Sequence, residues 1–417
     1  MSAQGLDLTV EGIGCEEQQR INVTQRSRSL GISHVVAENF RNINGLSADW
    51  SSDINFLWGA NGAGKTNILD LLHFALTLRP SRNRNMRKDI HWDAESALVR
   101  LGICHGDEVS GVGVQLTLNE ERPLECRLNG EKLTKSSELA LAYPSMFVDP
   151  SCMELVDASP SVRRKFIDWG VFHVKHDYAS LVQRWSHCLR QRNILLRQIH
   201  ATENQVARDK LTEELVYWTQ LFVSLSEEID KARQEYLDRF LECWDNSGCK
   251  LDFDGWRPSF RYYRGWAQDE SLASRLFPLD PGELDTAQST KAGPQRADLK
   301  MYVNNASEDT AARLARDFCS RGQKKLLSST LRLRQCTHFN SETGRPLVLF
   351  VDDLFSELDA GNKDILLNAI LDIEGQKFIS AVEASDAKII SGHLAKYNDL
   401  QVDVAMFHVK HGHCVRE

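Results

Sequence analysis

The chain has 417 residues, with 50 Lys and Arg against 58 Asp and Glu, for a formal net charge of −8. Hydrophobic residues make up 42% of it and charged residues 26%, ordinary globular values that exclude wholesale disorder, a fibrous repeat and a disulfide miniprotein. No continuous apolar stretch approaches the ~20 residues of a membrane helix, and the opening MSAQGLDLTVEGIG lacks both a basic start and an apolar run. A non-exported, cytoplasmic protein with no membrane association is expected.

Residues 1–29 are polar, carry no sustained apolar period and read as a flexible extension. From Leu30 the sequence alternates as a strand does. The run INFLW at 54–58, the loop GANGAGKTN and the helically spaced apolar residues of 68–78 spell strand, glycine loop, helix. Residues 97–130 alternate between turn signals at His105-Gly106 and Asn129-Gly130, which predicts antiparallel strands. Leu211, Leu215, Trp218, Phe222, Leu225, Ile229, Ala232 and Tyr236 then follow a heptad spacing. Tyr178, Leu181, Trp185, Cys188, Leu195 and Ile199 form an earlier seam that Arg192 interrupts. The pattern predicts a helical hairpin over 177–244 turning near 201–210, either as an arm of about 30–35 Å or as two core helices. Beyond loop-rich residues 278–297 come a predicted helix near 308–335, a buried strand at 346–352, a helix at 359–372 and a mixed final segment.

The sharpest chemical signal is Gly59, Ala60, Asn61, Gly62, Ala63, Gly64, Lys65 and Thr66, a G-x-x-x-x-G-K-T loop in its required setting between strand and helix. Its glycines let backbone N–H groups converge on phosphates at a helix N-terminus. Lys65 would reach the β- and γ-phosphates of a nucleotide, and the Thr66 hydroxyl would ligate Mg²⁺. The partner signal is the apolar run 347–351 ending in Asp352 and Asp353. Asp352 is placed to hold the Mg²⁺ and Asp353 to polarise an attacking water. Most of the chain separates the two halves, so something is inserted between them. Ser320, Arg321, Gly322 and Gln323 open another helix and read as a second, weaker phosphate-binding loop.

The order of phosphate loop, coiled arm, S-x-G-Q and hydrophobic-DD-x-x-S-E-L-D resembles the ABC-type ATPase heads of the SMC class, and among them the RecF family of bacterial recombination mediators. The matching pieces are Asn39-Phe-Arg-Asn42, Ser159-Pro-Ser-Val-Arg-Arg164-Lys-Phe-Ile-Asp168, Gly293-Pro294 with Arg296 and Asp298, Ser320-Arg-Gly-Gln323, residues 351–359 and the terminal Phe407-His-Val. The resemblance implies an α/β head with mixed sheets and an inserted, mainly α-helical arm domain. The head would comprise residues 30–176 and 291–417, with the arm at 177–290. It also implies that ATP and Mg²⁺ bind at residues 59–66. Ser320, Arg321, Gly322 and Gln323 would contact the γ-phosphate held by a second subunit of an ATP-dependent homodimer, with Asp359 in the loop crossing that interface. Single-stranded and duplex DNA at gap junctions, RecR, RecO and indirectly RecA are the implied partners, in repair, replication restart and SOS induction. The chain departs from the family at Gln295, where a histidine is frequent, and in lacking a glutamine between residues 143 and 156.

DNA contact must come from local charge. Arg79, Arg82, Arg84, Arg87 and Lys88 fall within ten residues without an acid among them. Further clusters are Arg163, Arg164 and Lys165; Arg190, Arg192 and Arg197; and Lys324, Lys325, Arg332 and Arg334. The pentapeptide FHVKH occurs at 172–176 and again at 407–411, with Phe and Val expected inward and His and Lys outward. A transporter ATPase subunit fits poorly with Arg321 and the long insert. A structural clamp or a defence ATPase of the same class is the alternative function.

Overall fold

The computed structural model describes residues 30–79, 86–118, 123–246, 251–253, 255–277, 288–305, 311–356, 358–382 and 402–417. The expected extension 1–29, together with Arg82 and Arg84, lies outside these. The chain enters through β1 (Leu30–Phe40) and β2 (Ile43–Asp49), joined by a tight turn in which Asn39 and Arg41 take positive φ. β3 (Ile54–Trp58) is buried along nearly its whole length, as a strand covered on both faces must be. It feeds the glycine loop and α1 (Lys65–Thr77), where Ile68, Leu69, Leu71, Leu72, Phe74, Ala75 and Leu76 are all buried. β4 (Ser96–His105), β5 (Glu108–Thr117), β6 (Leu124–Leu128) and β7 (Glu131–Lys132) are antiparallel, with Ala97, Val99, Leu101 and Ile103 facing inward at period two. Asn129 and Gly130 both take the positive φ that a two-residue type I′ turn requires.

After α2 (Ser136–Ala142) and β8 (Ser145–Val148) come α3 (Glu154–Asp157), α4 (Pro160–Val174), α5 (Tyr178–Ala201) and α6 (Gln205–Asn246). β9 (Trp256–Tyr263), α7 (Leu272–Leu276), β10 (Asp298–Asn305), β11 (Arg313–Leu314) and α8 (Ala315–Phe318) follow. The chain continues through α9 (Arg321–Thr343), β12 (Val348–Val351), α10 (Ala360–Leu371), β13 (Lys377–Ala381), β14 (Val404–Lys410) and β15 (His413–Arg416).

Two compact units result, one of residues up to 152 with 329–417, the other of residues 153–328. In the first, one sheet runs β2-β1-β4-β5-β6-β7 and the other β15-β14-β3-β13-β12-β8. In the second of these sheets β14, β3, β13, β12 and β8 are parallel. A single apolar core joins both sheets to α1.

The boundaries read from the sequence at 177 and 290 both fall inside the second unit. α4 precedes the heptads yet belongs with them: Phe166 meets Phe240 edge-on at 5.6 Å, and Gly170 leaves room that the Tyr236 ring fills. α5 and α6 pair antiparallel, Trp185 Nε1 donating to Ser226 Oγ and Arg192 Nε to Thr219 Oγ1. α6 runs 42 residues, about 63 Å, and combines both forms offered by the heptad pattern. As far as Phe222 it buries one narrow stripe; from Leu225 onward it buries a broad face that includes Ile229, Ala232, Tyr236, Leu237 and Phe240. Arg192, which interrupts the seam, is buried on Thr219 and Thr290 hydroxyls with Phe222 below its guanidinium.

Candidate nucleotide-binding site

Strand order builds the site. β3, β13 and β12 are parallel neighbours in that order, so their carboxyl ends emerge along one sheet edge, where ligands of open α/β sheets bind. The phosphate loop leaves β3, Ser380 is the penultimate residue of β13, and Asp352 follows β12.

The loop has the backbone its glycines permit. Gly59, Gly62 and Gly64 take φ of 151°, 79° and 112°. A Cβ at Gly59 would stand 2.3 Å from the Val409 carbonyl oxygen, so only glycine fits. α1 starts on Gly64 with no side-chain cap and no acid in its first turn, leaving free N–H groups and an unopposed dipole for an anion. Lys65 is buried and donates to the carbonyls of Gly59 (2.6 Å) and Ala60 (3.1 Å). Burial draws its ammonium below the usual lysine range, against Asp352 and Asp353, which push it up.

The Thr66 hydroxyl lies 2.9 and 2.8 Å from the two carboxylate oxygens of Asp352, closing a separation of 286 residues. Ser380 Oγ donates to Asp352 Oδ1 at 2.7 Å and accepts from the Asp353 amide at 3.1 Å. Asp353 itself stands at φ 47°, a conformation that non-glycine residues adopt mainly where their surroundings compel it. Asp359 caps α10, accepting from Asn362 N at 2.8 Å. In the second unit, Ser320 and Gln323 form a capping box: Ser320 N donates to Gln323 Oε1 (2.8 Å), and Gln323 N to Ser320 Oγ (3.3 Å). Arg321 and Gly322 are exposed beside it, and a Cβ at Gly322 would meet nothing.

Two turns that the sequence analysis assigned no role support the phosphate loop. In the β14–β15 hairpin, His411 and Gly412 take φ of 48° and 79°, and Gly412 N donates to Ala63 O at 2.8 Å. In the β1–β2 turn, Asn42 accepts from Asn67 at 2.6 Å, and Arg41 binds Asp70, Asp89 and Asn67. Ser380 was missed as well. A His-Gly pair between alternating residues at 405–416 was a readable hairpin signal, but no spacing in the sequence announces that its tip meets the loop.

Of the basic clusters, Arg163 is spent on Asp298 and on the carbonyls of Leu155 and Ala158, and Arg164 on the Ala297 carbonyl. Arg192 is buried, Lys324 pairs with Asp157 and Arg334 with Asp372. Among the residues of these clusters, Arg79, Arg87, Lys88, Lys165, Arg190 and Arg197 are exposed.

A phosphate loop at the carboxyl edge of a parallel sheet, facing an acid-ended strand from beyond a long insert, defines the α/β ABC/SMC-type P-loop ATPase head. The profile of the RecF/RecN/SMC N-terminal domain matches residues 31–393. The chain belongs to the RecF family. It is 34% identical over 383 residues to the DNA replication and repair protein RecF of Chromohalobacter salexigens, covering 90% of this chain and 97% of that protein. With RecF of Stutzerimonas stutzeri it shares 32% over 387 residues, covering 92% and 96%. The fold matches a solved structure of the recombination mediator RecF with ATP at a TM-score of 0.76 and 22% identity, over 95% of this chain and 100% of that one. An Smc head from Pyrococcus furiosus matches at 0.52 and 15%, over 93% and 96%.

Proposed function

We propose that the chain is an ATP-gated DNA-binding recombination mediator. The observation that carries this reading is the convergence of Lys65, Thr66 and Asp352 at one sheet edge, in a chain whose relatives are RecF proteins throughout their length. The loop N–H groups and the helix start hold the phosphates, and Lys65 exchanges the Gly59 and Ala60 carbonyls for β- and γ-phosphate oxygens. A hydroxyl paired with a carboxylate is the hard-oxygen donor set that Mg²⁺ takes, so Thr66 and Asp352 would hold the ion, which when bound neutralises phosphate charge. Asp353 orients the hydrolytic water.

Ser320, Arg321, Gly322 and Gln323 would close on the γ-phosphate carried by a second copy, with Asp359 in the loop that crosses between the copies. ATP can favour this homodimer only by its differential affinity for the closed form. The closed dimer would hold DNA at single-strand gaps and stalled forks through Arg79, Arg82, Arg84, Arg87 and Lys88. With RecR and RecO it would promote RecA loading for repair, replication restart and SOS induction, and slow hydrolysis would reset it. Co-sedimentation with gapped duplex DNA is expected to require ATP and to disappear in Lys65→Met. Retention of DNA by Lys65→Met, or by the wild type without nucleotide, would sink the gating.

A further inference from the structure

Trp92 is the most exposed large apolar side chain among the described residues, at 76%. It lies between the 3₁₀ turn Met86–Asp89 and β4. Nothing in the fold gains from placing an indole in water, and a ligand that covered it would gain the burial of a large apolar ring.

The indole is also held. The His91 ring lies against it, centroids 3.9 Å apart and planes inclined by 31°. His91 is itself buried and fixed: its backbone N–H donates to the Asn39 carbonyl at 2.8 Å, and its ring Nδ1 accepts from the Asp93 amide at 3.2 Å. The preceding Ile90 bridges to Phe40, and Asp89 is locked beneath Arg41. One face of the indole is therefore backed by a fixed ring while most of its surface stays open.

We infer that Trp92 is a stacking platform for an unpaired nucleotide base, with Arg87 and Lys88 holding the adjoining phosphates. The inference rests on the DNA-binding reading above and extends it to a residue and a strand type. A protein partner is the weaker occupant, because interface cores are built from clustered apolar side chains. Trp92 stands among charged neighbours. The only other exposed large apolar side chain among the described residues from 86 to 118 is Val109, near the far end of the β4–β5 ladder, where it pairs with Cys104 eight rungs from Ser96 and about 26 Å away. A lone aromatic plate beside exposed cations is what sequence-tolerant single-strand binding uses. Along the chain, exposed Arg87 and Lys88 precede Trp92 and the exposed acids Asp93 and Glu95 follow it, which assigns the phosphates to the preceding, basic segment. Bases inside a continuous duplex are already stacked on both faces. The platform therefore favours single strands and the unpaired edge of a gap.

The test measures binding of fluorescein-labelled single-stranded, gapped-duplex and continuous-duplex DNA to the full chain with ATP and Mg²⁺, comparing wild type, Trp92→Ala and Trp92→Phe. Trp92→Ala is expected to lose about tenfold on single-stranded and gapped DNA and nothing on continuous duplex, while Trp92→Phe keeps most of the affinity and both variants bind ATP normally. Ultraviolet cross-linking of a bromodeoxyuridine-substituted single strand should mark the peptide containing Trp92. Unchanged affinity in Trp92→Ala, equal loss on all three DNAs, or cross-links confined to other peptides would overturn the platform. A wild-type chain that binds none of the three DNAs would overturn the DNA-binding reading itself, an outcome visible before any variant is compared.

Discussion

The second unit and the sheet edge of the first handle charge in opposite ways. In the second, buried cations are closed onto fixed partners. Arg163 binds Asp298 with two nitrogens, and Arg233 binds Asp168 with two, the Pro294 carbonyl with a third, and the Tyr178 hydroxyl besides. In the first unit, at the sheet edge, Lys65 rests on its own loop's carbonyls, α1 begins uncapped, and Asp353 stands at positive φ. A network saturated by its own members fixes geometry; one satisfied by stand-ins is ready to exchange them for a ligand.

The difference predicts that damage to the first kind of network appears as lost stability and damage to the second as lost binding. Lys65→Met should weaken ATP binding at least a thousandfold, about 4 kcal/mol, while leaving the melting temperature nearly unchanged, read by calorimetric titration and thermal unfolding. Arg233→Met should do the reverse, destabilising the chain by roughly 3 kcal/mol because Asp168 and the Pro294 carbonyl lose their donors, with ATP affinity per folded molecule intact.

Lys377 sharpens the contrast from within the first unit. It is buried in β13, where burial lowers its pKa to about 8 against Asp53 and Glu374, and its ammonium donates to the Gly375 carbonyl. Between that value and the ordinary lysine pKa of 10.5 the unfolded chain binds more protons, so wild-type stability should rise with pH across this window. Lys377→Met should be more stable than wild type at pH 7 by up to about 2–3 kcal/mol, the gap closing toward pH 10 in denaturant titrations. The smallest effect is expected from Gly412→Ala. A Cβ there would stand 2.8 Å from the Asn42 carbonyl oxygen at φ +79°, so about 1–2 kcal/mol of local strain should move the hairpin tip off Ala63. Its signature is an ATP affinity reduced about tenfold with a melting temperature only slightly lowered.

The site was legible where chemistry is encoded in neighbouring residues. The phosphate loop follows INFLW and the acid pair follows VLFV, each in the setting that the sequence pattern predicted. It was not legible where the chain's return matters: Ser380 reaches the acid pair, and Asn42 and Gly412 the phosphate loop and the start of α1, through sheet order and turn geometry, to which no local spacing corresponds. The repeated FHVKH makes the same point. At 407–411 it forms a strand and turn with Phe407 and Val409 buried and Lys410 and His411 exposed, while His408 stacks on Trp58. At 172–176 it ends α4, where a helical period buries His173 and leaves Phe172 half-exposed. Identical pentapeptides present different faces because the packing around them sets the period. The basic clusters divide for a related reason, since sequence density does not distinguish an exposed arginine such as Arg79 from one spent on a buried carboxylate, as Arg163 is on Asp298.

The central claim is that ATP, held by Lys65, Thr66 and Asp352 of one copy, joins that copy to a second through Ser320, Arg321, Gly322 and Gln323. Sedimentation velocity of the purified chain over a concentration series, with ATP and Mg²⁺, with ADP and with neither, tests it most directly. The account predicts dimers with ATP alone, absent in Lys65→Met and in Ser320→Arg, although the latter still binds ATP. A chain that binds ATP yet sediments as a monomer at every concentration would contradict it.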